Sequence, residues 1–237
     1  MSPYLVIIPT YNEIENIDAI LSTTMKLQCN CDVLVVDDGS PDGTAQRVKI
    51  YMTDYPGRVF LMERTEKSGL GKAYIAGFEW GLKHGYQCIA EMDADFSHPP
   101  EKLNEMFSIC SEGLADVCIG SRYIHGGGVV NWPWYRLLLS KGASWYVRLI
   151  TGMPVKDPTA GFVCYRDSVL RDIPLNTIQF VGYGFQIEMK YNAYQSGFRL
   201  KEIPILFPDR LKGKSKMNIF IIREALIGVF KLKWKRK

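Results

Sequence analysis

The stretch Asp32-Val-Leu-Val-Val-Asp-Asp-Gly-Ser-Pro-Asp-Gly-Thr44 contains an apolar run, a polar turn and the start of a helical pattern. The apolar run is typical of a strand that is covered on both faces of a parallel sheet. The polar segment from Asp37 onward ends the strand, and helical spacing continues to about Tyr55. This order of elements predicts one βα unit.

A second βα unit precedes the first in the chain. Tyr4-Leu-Val-Ile-Ile8 is a β-branched apolar run, Pro9-Thr-Tyr-Asn-Glu13 ends it, and helical spacing follows over residues 16–27. Two successive units with polar residues at the carboxyl ends of their strands predict a doubly wound sheet that binds its ligand at that edge. The side chains expected to face the ligand are Tyr11, Glu13 and Asp38.

Asp93 and Asp95 follow a further apolar run, Tyr86 to Met92. Residues two apart on an extended chain point the same way, so both carboxylates would face the ligand edge. Two hard oxygen donors placed together suit Mg²⁺ or Mn²⁺ that also holds a phosphate group. The alternative is a solvated turn, because Asp is common in turns.

Weaker patterns complete the predicted α/β domain. We expect a strand that ends in Gly120-Ser-Arg-Tyr123 and a mobile loop after it that contains Gly126 to Gly128. Arg122 at that strand end suits a phosphate, with a surface ion pair as the alternative. The strand before Gly120 covers residues 115–119. Further strands are predicted at residues 58–64, 162–165 and 198–207, and further helices at 69–84, 101–110, 136–151 and 179–195.

Composition favours one domain that is neither exported nor membrane-spanning. The 237 residues contain no Ser/Gly/Pro-rich linker, no signal-like N-terminal segment and no run of 18 apolar residues. The six cysteines lack paired CxxC spacing and fall mostly in apolar segments, so we expect reduced thiols in a cytoplasmic protein. The glycines after Lys67 match neither the phosphate-loop nor the dinucleotide fingerprint, which argues against ATPase and NAD-binding functions.

Two segments could contact a membrane surface. The segment Arg210 to Lys237 contains ten Lys or Arg and one acidic residue, Glu224, so its net charge is +9. Because the whole chain has a net charge of +4, residues 1–209 carry about −5. Such a basic, apolar tail suits an anionic membrane, and no nucleic-acid-binding motif accompanies it. The segment Asn131 to Thr151 combines clustered aromatics with bases, which fits an interfacial helix and equally a core helix.

Six motifs together resemble the inverting family 2 glycosyltransferases and, within that family, the polyprenyl (dolichyl) phosphate mannose synthases. The resemblance covers residues 3–217 and is most selective in the Asn131 and Arg210 blocks. The motifs are Pro9-Thr-Tyr-Asn-Glu13, Val36-Asp-Asp-Gly-Ser-Pro-Asp-Gly-Thr44, Asp93-Ala-Asp95, Gly120-Ser-Arg-Tyr123, Asn131-Trp-Pro-Trp-Tyr-Arg136 and the segment Arg210 to Met217.

The resemblance implies a GT-A fold, an α/β domain with a mostly parallel, Rossmann-like doubly wound sheet, over residues 1–217. Residues 218–237 would form an amphipathic basic helix without a transmembrane span. The implied metal ligands for Mg²⁺ or Mn²⁺ are Asp93, Asp95 and Ser97, the last at a position where some relatives have Gln. The implied acceptor-phosphate residues are Arg122, Arg136 and Ser140. The implied nucleotide-sugar residues are Pro9, Tyr11, Glu13, Val36, Asp38, Asp93, Ala94, Asp95, Arg210 and Lys216.

The implied reaction transfers mannose from GDP-mannose to a polyprenyl monophosphate with inversion, and Asp95, Arg122 and Arg210 would be its catalytic residues. The acceptor phosphate is largely dianionic at pH 7, so no strong base is required, and His98 is interpreted as structural. The enzyme would lie peripherally on the cytoplasmic face of the membrane. One alternative is a UDP-glucose-dependent synthase on the same lipid. Another is a non-catalytic sugar-nucleotide-binding scaffold.

Overall fold

A computed structural model describes residues 2–65, 69–180, 182–209, 228–230 and 232 of the chain. Helices and strands alternate through most of this range, as the sequence predicts. The strands are β1 (Tyr4–Thr10), β2 (Asp32–Asp37), β3 (Val59–Glu63), β4 (Cys88–Glu91), β5 (Val117–Ser121), β6 (Gly128–Val130), β7 (Val163–Arg166), β8 (Leu200–Pro204) and β9 (Leu206–Pro208). The helices are α1 (Ile17–Met25), α2 (Thr44–Asp54), α3 (Leu70–Lys83), α4 (Lys102–Ser111), α5 (Trp134–Thr151), α6 (Asp167–Asp172) and α7 (Tyr183–Gln195), with a 3-10 turn at Leu175–Thr177.

In the described part of the chain, seven strands form one sheet in the order β3-β2-β1-β4-β7-β5-β8. Every neighbouring pair is parallel except the two pairs that β7 makes with β4 and β5, which are antiparallel. Strand β1 lies between β2 and β4, where Thr10 pairs with Asp37 and Ile7 with Glu91. The carboxyl ends of these three strands therefore meet at one edge of the sheet.

The sheet is covered on both faces, as the apolar runs of β1 and β2 predict. Leu5 and Ile7 lie in one hydrophobic core, while Val6 and Ile8 lie in the other, because successive side chains of a strand point to opposite faces. Helix α3 packs closely on the first face. A Cβ atom added at its Gly77 would lie 2.8 Å from side-chain atoms of Ile7.

Two predictions about loops and strands are wrong. Residues 198–207 do not form one strand, because β8 ends at Pro204 beside Ser121 and the chain then leaves the large sheet. Ile205 connects the two sheets: its N–H donates to the Ser121 carbonyl and its carbonyl accepts from Gly128 N–H, each at 3.0 Å. Strand β9 then pairs with β6, so the end of the segment predicted as a mobile loop is a strand.

Within the described residues, no helix has both the length and the apolar character needed to cross a bilayer. The cysteines are free thiols, and they are buried apart from Cys29, which is partly exposed. The described residues 228–230 are helical, and Val229 packs into the same core as Leu5 and Ile7. The predicted division at residue 217 lies outside the described residues and stays a prediction.

The close packing of α3 predicts opposite effects of Gly→Ala substitution at two helical positions. Gly77→Ala should lower the free energy of unfolding by about 1 to 3 kcal/mol, because the added methyl group overfills the contact with Ile7. Gly142→Ala is the control, since a Cβ added there would meet no described atom within 4 Å beyond the adjoining backbone of its own helix. It should raise the free energy of unfolding by about 0.5 to 1 kcal/mol. Urea unfolding measures both, and equal effects would contradict the packing described.

Candidate active site

The loops after β1 and β2 are joined by a buried carboxylate at the ligand edge of the sheet. Asp37 accepts hydrogen bonds from the Thr10 hydroxyl at 2.8 Å and from the Ser40 N–H and hydroxyl at 2.8 and 2.6 Å. The Ser40 hydroxyl in turn accepts from Asn12 N–H at 2.9 Å. Asp37 thus fixes the two loops that carry the predicted nucleotide residues, a structural role that the sequence did not assign to it.

The predicted nucleotide residues of β1, β2 and their loops lie together at this edge. Asp38 forms an ion pair with Arg64, with 3.2 Å between Oδ1 and Nη1. Glu13 N–H donates to the Thr44 hydroxyl at 3.1 Å, and the Glu13 carboxylate accepts from the Asn16 amide. Pro9 and Tyr11 are partly exposed, whereas Val36 is buried in the core. Arg210 and Lys216 lie outside the described residues.

Strand β4 ends at Glu91 and the chain turns at Ala94 and Asp95, so Asp93 and Asp95 do not lie on one extended strand. The extended chain on which this prediction depended is therefore not observed. The turn positions them by other contacts: Ser97 donates its hydroxyl to Asp95 Oδ1 at 2.6 Å and its N–H to the same oxygen at 3.1 Å. The Tyr74 hydroxyl donates to Asp93 Oδ1 at 3.3 Å. The two carboxylates are thus oriented by separate neighbours.

His98 holds the backbone of the same turn. Its Nδ1 accepts from Asp93 N–H at 3.0 Å, and its ring stacks on Phe162 with 5.1 Å between centroids. The imidazole nitrogen that faces the turn is therefore an acceptor, which agrees with the structural role expected for His98.

The donor set at this turn fits a cation that a substrate helps to bind. Among the described residues no group of three His, Cys, Asp or Glu side chains could enclose a metal ion by itself. Asp93 and Asp95 supply hard carboxylate oxygens, and Mg²⁺-type sites commonly use one or two carboxylates together with substrate phosphates. The pair therefore suits a metal–diphosphate site better than a closed protein cage.

Arg122 at the end of β5 forms a bidentate ion pair with Asp157. Its Nε and Nη2 atoms each lie 2.7 Å from a carboxylate oxygen, and Nη2 also donates to the Thr159 hydroxyl at 2.9 Å. Burial alone would raise the pKa of Asp157, but the hydrogen bonds and charge of Arg122 outweigh it and hold that pKa below its ordinary value. The guanidinium group is consequently fixed in one orientation beside the site.

Arg136 lies against the same indole ring as Arg122. The guanidinium carbon of Arg136 is 3.8 Å from the Trp132 ring centroid, and that of Arg122 is 5.8 Å from it. The Trp132 N–H is buried and has no hydrogen-bond partner in the described part of the chain. Two guanidinium groups and an unpaired N–H donor therefore meet at one indole ring, and these are groups that can bind a phosphate.

The third residue of the predicted acceptor set lies one helical turn from Arg136. The Ser140 hydroxyl accepts a hydrogen bond of 2.6 Å from the Tyr123 hydroxyl, which connects α5 to the loop after β5. The structure thus brings the segments of Arg122, Arg136 and Ser140 together, although they come from two different elements of the chain.

A buried polar network behind the site was not predicted. Gln186 on α7 donates to Glu91 Oε2 at 2.7 Å, and Lys190 Nζ, one turn later, donates to the Ala160 carbonyl at 2.6 Å. Burial raises the pKa of Glu91 to about 8 and lowers the pKa of Lys190 to about 8. The helical spacing of Gln186 and Lys190 was visible in the sequence, but their burial was not.

Comparison with known proteins gives two kinds of match. The family model described as Glycosyl transferase family 2 matches residues 5–176. The chain is 48% identical over 225 residues to the polyprenol monophosphomannose synthase of Mycolicibacterium smegmatis, covering 95% of this chain and 84% of that protein. It is 45% identical over 225 residues to the undecaprenyl-phosphate mannosyltransferase of Micrococcus luteus, covering 95% of this chain and 91% of that protein.

Solved structures share the fold at low sequence identity. A mannosyltransferase from Pyrobaculum calidifontis in complex with GDP-Man and Mn²⁺ matches with a TM-score of 0.65 and 17% identity, covering 99% of this chain and 65% of that one. The glucosyl-3-phosphoglycerate synthase of Mycobacterium tuberculosis matches with a TM-score of 0.67 and 15% identity, covering 98% of this chain and 79% of that one. These likenesses establish the GT-A fold, with its mostly parallel central sheet.

The Arg122–Asp157 pair predicts a large and acid-sensitive contribution to stability. Asp157→Asn should lower the free energy of unfolding at pH 7 by roughly 3 to 5 kcal/mol, because it leaves a buried guanidinium without its counter-charge. Since the folded-state pKa of Asp157 lies below its unfolded value, this contribution is present above about pH 4 and disappears as the pH falls through the folded pKa.

Urea unfolding of wild type and Asp157→Asn at pH 7 and pH 3 measures this contribution. Asp167→Asn is the control, because Asp167 forms an exposed pair with Arg171 at 3.3 Å, and such pairs contribute about 1 kcal/mol or less. Equal losses in the two variants, or a difference from wild type that does not shrink in acid, would contradict the assigned role of Asp157.

Proposed function

Since this chain belongs to glycosyl transferase family 2, we propose that it transfers mannose from GDP-mannose to a polyprenyl monophosphate with inversion at the anomeric carbon. Two relatives at 45% and 48% identity carry names of polyprenyl-phosphate mannose synthases. The observation on which the proposal depends most is the convergence of Arg122 and Arg136 on the Trp132 ring. A carbohydrate hydroxyl acceptor would not need two cations there, whereas a phosphate monoester would.

The donor would bind at the edge formed by β1, β2 and β4. Tyr11, Glu13 and Asp38, on loops that Asp37 joins, would surround the guanosine together with Pro9 and Val36 at the ends of β1 and β2. Asp93 and Asp95 would hold Mg²⁺ or Mn²⁺, which supplies positive charge that stabilises the departing diphosphate. Ser97 would orient Asp95 through their 2.6 Å hydrogen bond. Arg210 and Lys216, from outside the described residues, would add cationic contacts to the same diphosphate.

The acceptor side has to bring a second anion next to the first. A phosphate monoester has a second pKa of about 6, so one of its oxygens can attack the anomeric carbon at pH 7 without a general base. Arg122 and Arg136 would offset its charge, and the fork of each guanidinium would orient its oxygens. As the new carbon–oxygen bond forms, the bond to the GDP oxygen breaks, and GDP leaves with the electron pair.

Helix α5 offers a surface for the membrane that contains such an acceptor. Large apolar side chains at helical spacing are about two-thirds exposed along it: Trp134, Leu138, Trp145 and Leu149. The bases Lys141 and Arg148 are exposed between them, a combination that suits an anionic bilayer surface. Because Arg136 lies in the first turn of α5, a lipid that rests along this helix would have its phosphate near the acceptor arginines.

The proposed reaction predicts a lipid product from GDP-mannose. Incubation of the protein with radiolabelled GDP-mannose, Mg²⁺ or Mn²⁺ and polyprenyl phosphate should give organic-extractable mannosyl lipid, and EDTA should abolish it. Asp95→Ala and Arg122→Lys should each reduce kcat/KM at least ~100-fold, the scale for losing one preorganised electrostatic group. Arg171→Lys, on the separate helix α6, is the matched control.

The outcomes separate the alternatives. Lipid product from UDP-glucose but not from GDP-mannose would replace the proposed donor. Nucleotide binding without any lipid product would favour the non-catalytic scaffold. Near-normal turnover of folded Asp95→Ala and Arg122→Lys proteins would remove both residues from the active site.

The proposed membrane surface predicts binding to vesicles. The protein should co-sediment with liposomes that contain phosphatidylglycerol, and the double variant Trp145→Ser, Leu149→Ser should bind at least ~10-fold more weakly, because each large apolar side chain contributes about 1.5 to 3 kcal/mol when buried. Leu114→Ser is the control, since Leu114 is an exposed apolar residue outside α5. Equal binding of the double variant and wild type would exclude this surface.

A further inference from the structure

Each proposed acceptor arginine already has a carboxylate partner, but the two pairs differ in kind. Asp157 holds Arg122 through two oxygens, and the side chains are only 0% and 9% exposed. Arg136 Nη1 lies 2.8 Å from Asp209 Oδ1, and these side chains are 28% and 41% exposed. The first pair is a fixed part of the structure, whereas the second can exchange with solvent anions at low cost.

The Arg136 guanidinium would keep its place without Asp209. It stacks on Trp132 at 3.8 Å from the ring centroid, and this contact does not depend on the carboxylate. Trp132 is itself held edge-on by Phe207 of β9, with 5.6 Å between ring centroids. The Arg136 guanidinium is therefore held by the Trp132 ring, whereas the Asp209 carboxylate on it can be replaced by another anion.

Asp209 is likewise placed by the backbone and not by its side chain alone. Its N–H donates to the Val130 carbonyl at 3.0 Å, which extends the β6–β9 pairing by one residue. The backbone of Asp209 is thus held independently of the contact between its carboxylate and Arg136.

We infer that Asp209 is a placeholder for the acceptor: its carboxylate neutralises Arg136 while the site is empty, and the phosphate of the polyprenyl acceptor displaces it. This inference rests on the proposed function. Every incoming anion then has to compete with Asp209, which lowers the affinity of the acceptor site for each of them. A lipid phosphate has additional binding energy from its apolar chain on α5, whereas inorganic phosphate has none. The lipid phosphate therefore displaces the carboxylate more readily than free phosphate does, while the carboxylate weakens the binding of both.

The inference predicts a gain of affinity when the carboxylate is removed. Asp209→Asn should lower the KM for farnesyl phosphate, a short polyprenyl phosphate, about two- to fivefold, the range that corresponds to one exposed ion pair. It should lower the inhibition constant of inorganic phosphate by a similar factor and leave the KM for GDP-mannose unchanged. In an Arg136→Met background, the same substitution should change neither acceptor constant, because the competing pair no longer exists.

The matched control is Asp167→Asn, which removes an exposed aspartate from the exposed pair with Arg171, on α6. It should leave all three constants unchanged. Calorimetric binding of farnesyl phosphate in the absence of donor provides a readout that does not depend on turnover. Asp209→Ser serves as a second charge-removing variant if Asp209→Asn does not fold.

The outcomes distinguish this inference from the proposed function. Acceptor affinity that rises only when Arg136 is present supports the placeholder role. Unchanged or weaker acceptor binding in an active enzyme, an equal effect without Arg136, or an equal effect on the KM for GDP-mannose would overturn it. A wild-type protein that makes no mannosyl lipid would refute the proposed function and, with it, this inference.

Discussion

The arrangement of side chains around Trp132 depends on the balance between two guanidinium groups and two carboxylates. Arg122 and Arg136 lie against one indole ring, close enough that salt screens only part of their repulsion. Carboxylates from distant parts of the chain offset that repulsion, Asp157 in the interior and Asp209 at the surface. Both guanidinium groups therefore have a counter-charge, and in the proposed mechanism an anionic substrate binds by replacing the weaker of the two carboxylates.

The same sheet places these arginines near the proposed donor site. Strand β4 leads to Asp93 and Asp95, and β5 leads to Arg122, with the antiparallel strand β7 between them. Behind them, Gln186 and Lys190 of α7 bond to Glu91 at the end of β4 and to the Ala160 carbonyl just before β7. The positions of the proposed donor carboxylates and acceptor arginine are thus set by packed, hydrogen-bonded elements and not by loops alone. Such rigidity suits a reaction in which two anions must approach each other.

Much of this arrangement could be predicted from the sequence, because β1 and β2 are apolar runs followed by polar turns and so resemble strands buried in a parallel sheet. The direction of β7 could not, since Val163 to Tyr165 would form the same short strand either way. The turn at Asp93 depends on Ser97 and His98 contacts that periodicity does not reveal. Arg122 was a visible candidate, but its partner Asp157 is 35 residues away, and only the fold brings them together. The roles of Arg210 and Lys216 stay predictions.

The central claim is that one phosphate group binds between two arginines that share an indole ring. A crystal structure of the protein with GDP, Mn²⁺ and farnesyl phosphate tests it most directly. We expect acceptor phosphate oxygens within hydrogen-bonding distance of both Arg122 and Arg136, the Arg122–Asp157 pair intact, and the Asp209 carboxylate turned away from Arg136. A phosphate bound elsewhere, or one that contacts neither guanidinium group, would contradict the claim.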